Sequence, residues 1–206
     1  MRGLAYECSC SRAEVSAEGG EGRYPGTCRD GARRRDGPLA VRFRAFGLGP
    51  VTVEDRLQGR LTESVEATVG DFVLRRRDGF WSYQLAVVVD DAFQGITDVV
   101  RGLDLLDNTA RQRLLQGALG LPSPRTLHLP LLVEPGGGKL AKSRRALPLD
   151  PASAPQALSE VLGLLRHPPP AELQHAPVGE QLEWAIRAWD PSRLQGLREI
   201  SATAVT

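Results

Sequence analysis

Three short apolar-rich runs constrain this chain most: Leu85–Val89, Ile96–Val100 and Leu127–Val133. Each is too short for an ordinary helix and rich in β-branched residues. Each stops at a charged or glycine-rich segment: Asp90-Asp91 after the first, Arg101 after the second, Gly136-Gly137-Gly138 after the third. Runs of this kind read as strands buried on both faces, as in parallel sheets. Between the second and third lies a helical pattern. Thr109 and Gln112 are placed as its capping box, Leu114, Leu115 and Ala118 form its apolar face, and Gly120 stops it. Buried strands alternating with helices predict an open α/β sheet. In such sheets ligands sit beyond the carboxyl ends of the strands, where Asp90, Asp91, Arg101 and the glycine loop fall.

The remaining segments are arranged around that sheet. Residues 1–38 are polar, glycine-rich and hold every cysteine, and they read as a loop-rich module in which Arg33-Arg34-Arg35 is a solvated turn. Ala40–Phe46 alternates apolar with basic residues, as a half-exposed strand does, and Pro50–Leu57 fits a second strand. Residues 71–90 read as a hairpin with arms Phe72–Arg76 and Phe80–Asp90 about an Asp78-Gly79 turn. Leu158, Val161, Leu162 and Leu165 share one helical spacing, and Leu182, Ala185, Ile186 and Trp189 another; Pro155 and Pro177 suit the two starts. The expected organisation is a cysteine-bearing module with a connective β region over 1–70, an α/β half over 71–150, a helical region over 151–200 and a tail over 201–206.

Charge narrows the function classes. The 26 basic and 25 acidic residues leave a net charge of +1, so any nucleic-acid binding must come from a local patch and specific contacts rather than a global field. No run of about 18 apolar residues marks a membrane span, and the first ten residues lack the apolar core of a signal peptide, so no membrane association and a cytoplasmic location are expected. Three cysteines in a reducing compartment argue for a metal or free thiols rather than a disulfide framework.

Three constellations could carry chemistry. Cys8, Cys10 and Cys28 offer three thiolates, which suit zinc. The fourth ligand is open: the three histidines lie far off in sequence, and Tyr24 is the nearest oxygen. The other reading is three ordinary thiols in a loop. The only two lysines, Lys139 and Lys142, sit three residues apart behind the glycine run, a placement that suits phosphate oxygens but also occurs in plain surface loops. Tyr83 and Arg101 fall on strands read as neighbours. An arginine at a strand end can pair with a carboxylate; the alternatives are a core tyrosine and a surface arginine.

Longer segments carry a resemblance. Leu4-Ala5-Tyr6-Glu7-Cys8-Ser9-Cys10-Ser11-Arg12 and Gly22-Arg23-Tyr24-Pro25-Gly26-Thr27-Cys28-Arg29 resemble the zinc module of glutamyl-Q tRNA(Asp) synthetases, relatives of glutamyl-tRNA synthetase in class I. Asp55-Arg56-Leu57-Gln58-Gly59, the segment Gly70–Gly79, Tyr83–Asp91 and Val100–Leu106 are similar to the same family, and the likeness runs from residue 4 to about 195. The resemblance implies the C-terminal part of a class I Rossmann-like parallel sheet, a zinc-stapled, partly β connective module and C-terminal helices. It implies zinc on Cys8, Cys10, Tyr24 and Cys28, and glutamate held by Tyr83 and Arg101. It makes Lys139, Leu140, Ala141, Lys142 and Ser143 the ATP-binding loop usually written KMSKS, with Lys142 catalytic. ATP, with Mg2+, and tRNA(Asp) would be the other substrates, and the protein is expected to act as a monomer.

This sequence departs from the family in two places. Ala141 stands where the family usually has serine. The HIGH-like motif that lies upstream of the zinc module in the family is not among these residues, so the expectation is an N-terminally truncated chain that does not activate glutamate by itself. The alternatives are a non-catalytic zinc-binding remnant that binds tRNA or a partner, and a truncated glutamyl-tRNA synthetase. The short stretch after Lys142 and Arg101-Gly102-Leu103-Asp104-Leu105 argue against the latter.

Overall fold

A computed structural model describes residues 3–20, 22–133 and 150–201. The described elements are β1 (Ala5–Cys8), α1 (Arg12–Gly19), β2 (Ala40–Phe43), β3 (Val51–Asp55), β4 (Gly59–Glu63), α2 (Val65–Thr68), β5 (Phe72–Arg75), α3 (Tyr83–Phe93), β6 (Asp98–Gly102), α4 (Asn108–Leu119), β7 (Arg125–Leu129), β8 (Leu131–Val133), α5 (Ala154–Leu164), α6 (Val178–Ala188) and β9 (Glu199–Ser201). They form an α/β fold with mixed sheets. Strands β1, β2 and β5 pair antiparallel in that order; β4, β3, β7 and β6 form a second sheet in that order; β8 and β9 pair in parallel. Strands β3 and β4 are neighbours joined by only Arg56, Leu57 and Gln58, a connection too short for a parallel crossover.

The chain divides into two compact units, one of Met1–Glu54, Arg60–Val99 and Leu105–Thr126, the other of Asp55–Gly59, Val100–Asp104 and Leu127–Thr206. In the first, Phe43, Val65, Phe72, Leu74, Val88, Ala110 and Leu115 make the core, with the Phe43 and Phe72 rings 5.1 Å apart. In the second, Leu57, Leu127 and Leu194 are buried together. Helices α5 and α6 of that unit are tied by fully buried Gln181, which donates to the carbonyls of Pro155 and Ala176 and accepts from Ser159. Of the residues at the apolar spacing, Ala185 is buried, whereas Leu182, Ile186 and Trp189 are exposed.

Several sequence expectations change. Leu85–Val89 is not a strand but the middle of α3, so Phe80–Asp90 is not a hairpin arm and Asp90 and Asp91 do not end a strand. The Asp78-Gly79 turn does form, but pairing stops at an Arg75–Trp81 bridge. There Ser82 takes over: its hydroxyl accepts from the Leu85 N–H and caps the helix. Gln84 and Val88, four apart, then turn one face inward, a choice that β-branched composition does not reveal. Leu127–Val133 is divided into β7 and β8 at Pro130, which has no N–H to give the ladder. The Thr109/Gln112 capping box is absent: α4 begins at Asn108 without a side-chain cap, and both residues are buried. A capping box does form at Ser11 and Glu14, where it starts α1 inside the segment read as loop.

Asp71 binds the first unit together. Its fully buried carboxylate accepts from Arg29 Nε at 2.6 Å, from the Tyr6 hydroxyl at 2.6 Å and from the Ala45 N–H at 2.8 Å. Burial opposes its ionisation, but these bonds outweigh that cost and hold the carboxyl below the usual carboxylate range. The preceding Gly70 has φ +70°, and a Cβ there would collide with the Tyr24 carbonyl oxygen.

Replacing Asp71 with asparagine strands the Arg29 charge and should cost about 3 kcal/mol in urea unfolding. Because the native pKa is the lower one, the stabilisation is complete above about pH 3.9 and is lost as pH falls through the depressed value. Urea midpoints of the wild-type protein and Asp71→Asn should therefore converge as the buffer is acidified; a constant gap down to pH 2 would contradict this role.

Candidate functional site

Two clusters of polar side chains stand out, one in each unit. The first gathers the three cysteines at the end of β1, in the turn after it and in the loop that returns from α1. Their sulfurs lie within 4.8 Å of one another, with Cys10 and Cys28 at 3.6 Å. The Tyr24 hydroxyl stands 3.4 Å from Cys8 Sγ and 3.9 Å from Cys10 Sγ. A tetrahedral zinc site with sulfur ligands has ligand–ligand edges of about 3.8 Å, slightly shorter where one ligand is oxygen. The three thiols and the phenol thus have the size and donor types of a four-ligand metal centre, and spacing alone had left the fourth position open.

The cluster's electrostatics point the same way. Burial, and the neighbouring Cys28 and Cys8 sulfurs, push Cys10 up to about 12. Cys28 is also buried, yet backbone N–H groups of Arg33 and Ser9, with help from Tyr24 and Cys10, bring it down to about 6. Burial drives the Tyr24 phenol strongly upward. Several groups competing to be the one anion describe a site that gains from a cation among them. Arg42 supplies part of that charge. Buried between β1 and β5, it donates from Nε to Cys8 Sγ at 3.3 Å and lies 3.8 Å over the Tyr24 ring.

The second cluster surrounds Arg101 on β6. Arg101 Nε donates to His128 Nε2 at 2.8 Å, and His128 Nδ1 lies 2.6 Å from Asp55 Oδ2. The His128 and Asp55 side chains are both fully buried. The other Asp55 oxygen accepts from the N–H groups of Leu57, Gln58 and His128. Burial disfavours the Asp55 charge, but the His128 bond and these N–H groups prevail and hold the carboxyl well below its ordinary range. Sequence reasoning missed this pair. In the sequence, Asp55 stands out only within the Asp55–Gly59 motif, and His128 only as a histidine distant from the cysteines. The available signal was a lone histidine inside an apolar strand, since a buried imidazole needs a partner.

Tyr83 is the first residue of α3, half exposed, and not on a strand beside Arg101; it belongs to the first unit and Arg101 to the second. It lines a cavity of about 810 Å³ with Arg12, Arg76, Arg77 and Trp81. Lys139, Leu140, Ala141, Lys142 and Ser143 lie outside the described residues. Among the described residues, no helix is long and apolar enough to cross a membrane.

Comparison with known proteins follows the same outline. Residues 1–152 match the family described as tRNA synthetases class I (E and Q), catalytic domain. The chain is 51% identical over 192 residues to the glutamyl-Q tRNA(Asp) synthetase of Pseudomonas aeruginosa strain LESB58, covering 93% of this chain and 64% of that protein. It is 48% identical over 198 residues to the enzyme of the same name from Synechococcus sp., covering 93% of this chain and 66% of that one. Among solved structures, the glutamate-tRNA synthetase of Elizabethkingia anophelis matches with a TM-score of 0.62 and 26% identity, over 81% of this chain and 37% of that one. A glutamate tRNA ligase of Elizabethkingia meningosepticum, solved with its amino acid, gives 0.61 and 25% over the same shares. The chain thus spans about two thirds of the length of the curated relatives it matches, just under that mark for the first.

Proposed function

Since the chain belongs to the class I tRNA synthetases of the E and Q type, we propose that its protein activates glutamate with ATP and transfers it to queuosine in tRNA(Asp). The carrying observation is identity of about half the residues over 93% of the chain with proteins of that name, against 25–26% with the matched glutamate-tRNA synthetases. In this reading Arg101 takes a carboxylate of glutamate, where a planar guanidinium grips two oxygens at once. Tyr83 is the second glutamate-binding residue. Lys139, Leu140, Ala141, Lys142 and Ser143 form the ATP-binding loop, and Lys142 offsets charge developing on the leaving pyrophosphate, with Mg2+ accompanying ATP.

Cys8, Cys10, Cys28 and Tyr24 would hold a zinc ion that staples the N-terminal module and takes no part in bond making. The donor set fits that ion in type and spacing. Neutralisation of the thiolates by Arg42 and the metal together explains why an arginine is buried there.

Metal analysis of the purified protein should find one zinc per chain, and Cys28→Ser should abolish it; zinc-free protein with all three thiols freely reactive would remove the metal from this reading. Arg101→Ala should weaken glutamate binding by roughly 2–5 kcal/mol, the range for truncating one partner of a buried charge pair. Calorimetric titration checks this, and unchanged affinity would remove Arg101 from the pocket. A protein that contains this chain and is active in ATP–pyrophosphate exchange should load glutamate onto tRNA(Asp) carrying queuosine and leave tRNA(Glu) uncharged. Efficient charging of tRNA(Glu) would move it to the glutamyl-tRNA synthetases, and tRNA binding without any charging would favour a non-catalytic zinc-binding role.

A further inference from the structure

The donor chemistry of the second cluster dictates its protonation. An arginine Nε–H can only donate, so the His128 Nε2 that it meets at 2.8 Å must be a bare acceptor. The single ring proton therefore resides on Nδ1 and is donated to Asp55 Oδ2 at 2.6 Å. Asp55 is itself oriented, because its other oxygen is occupied by the N–H groups of Leu57, Gln58 and His128. Both side chains are shut away from solvent, so the only one of the three that reaches the surface is Arg101.

We propose that His128, kept in one tautomer by Asp55, is a positioning residue that sets the Arg101 guanidinium for the carboxylate of the substrate amino acid. This rests on the glutamate reading above. The role resembles that of a buried carboxylate that holds a catalytic histidine in its working tautomer, with the imidazole here serving an arginine instead of a nucleophile.

Asp55→Asn tests it with little change of shape. The three backbone N–H groups require an oxygen on their side, so the asparagine must turn its NH2 toward His128 Nδ1. The ring proton then moves to Nε2, where it opposes the Arg101 Nε–H. Long-range 15N–1H spectra of histidine-labelled protein, with the His128 signal assigned from its variants, should show an Nδ1–H ring in the wild type and an Nε2–H ring in Asp55→Asn. Glutamate affinity, titrated on the same samples, should fall roughly tenfold to a hundredfold, the scale of a lost hydrogen bond to a charged group.

A second pair covers the case in which Asp55→Asn fails to fold. His128→Gln carries an acceptor out to the Nε2 position and should restore most of the affinity, whereas the shorter side chain of His128→Asn cannot and should bind like Asp55→Asn. A wild-type ring protonated at Nε2 overturns the proposal, as does wild-type affinity in both Asp55→Asn and His128→Asn. A wild-type protein that binds no glutamate overturns the glutamate reading itself and the positioning role with it. Binding by the wild type that these variants leave unchanged overturns the positioning role alone.

Discussion

The first unit depends on one buried carboxylate. Asp71 is fully enclosed, and the groups that surround it come from distant parts of the chain: Tyr6 from β1, Arg29 from the cysteine loop, and the backbone of Ala45 and Phe46 just beyond β2. A buried anion is tolerated only when such donors converge on it, so its presence obliges those segments to meet. Arg29 continues the chain of contacts by lying 4.4 Å over the Phe46 ring. Gly70, next to Asp71, lets the chain pass tightly against Tyr24, and the cysteine cluster is thereby anchored to the edge of β5.

The cysteine cluster and the Arg101 cluster answer the same problem in opposite ways. Around Cys8, Cys10 and Cys28, three sulfurs and a phenol are packed so closely that burial and proximity push Cys10 and Tyr24 up while Cys28 is lowered, and Arg42 donates to Cys8. Such a close set of sulfur and oxygen donors suits a cation, which lets them ionise together. Around Arg101 the guanidinium donates to an imidazole, which in turn is held by Asp55. That arrangement fixes the direction of the guanidinium. Within each cluster the buried polar atoms constrain one another, the sulfurs by crowding and the arginine by a relay of hydrogen bonds.

Motifs were more legible in the sequence than elements were. Contiguous residues such as Cys8-Ser9-Cys10, Gly22–Arg29 and Asp55–Gly59 keep their identity whatever the chain does around them, so the family and the cysteine cluster could be read directly. Strand β5, helices α5 and α6 and the stop of α4 at Gly120 also follow from local periodicity and from the left-handed conformation that glycine accepts. Leu85–Val89 misled because an apolar run of that length has no period to measure. The Ser82 cap and the packing of Val88 into the core beside Phe43 decide for helix, and only the second of these needs the fold.

What the sequence determined by itself was therefore the donor chemistry: three thiols and a phenol near one another in the chain, and an arginine near the end of a strand. The partners of Arg101 were decided by tertiary structure alone. Asp55, Arg101 and His128 are separated by 46 and 27 positions and share no local pattern. They meet because residues far apart in the chain fold into a single unit, and because neither a carboxylate nor an imidazole can be buried until the other is there to bond it. Local sequence encodes which atoms a residue offers, whereas burial encodes which of those offers must be taken up.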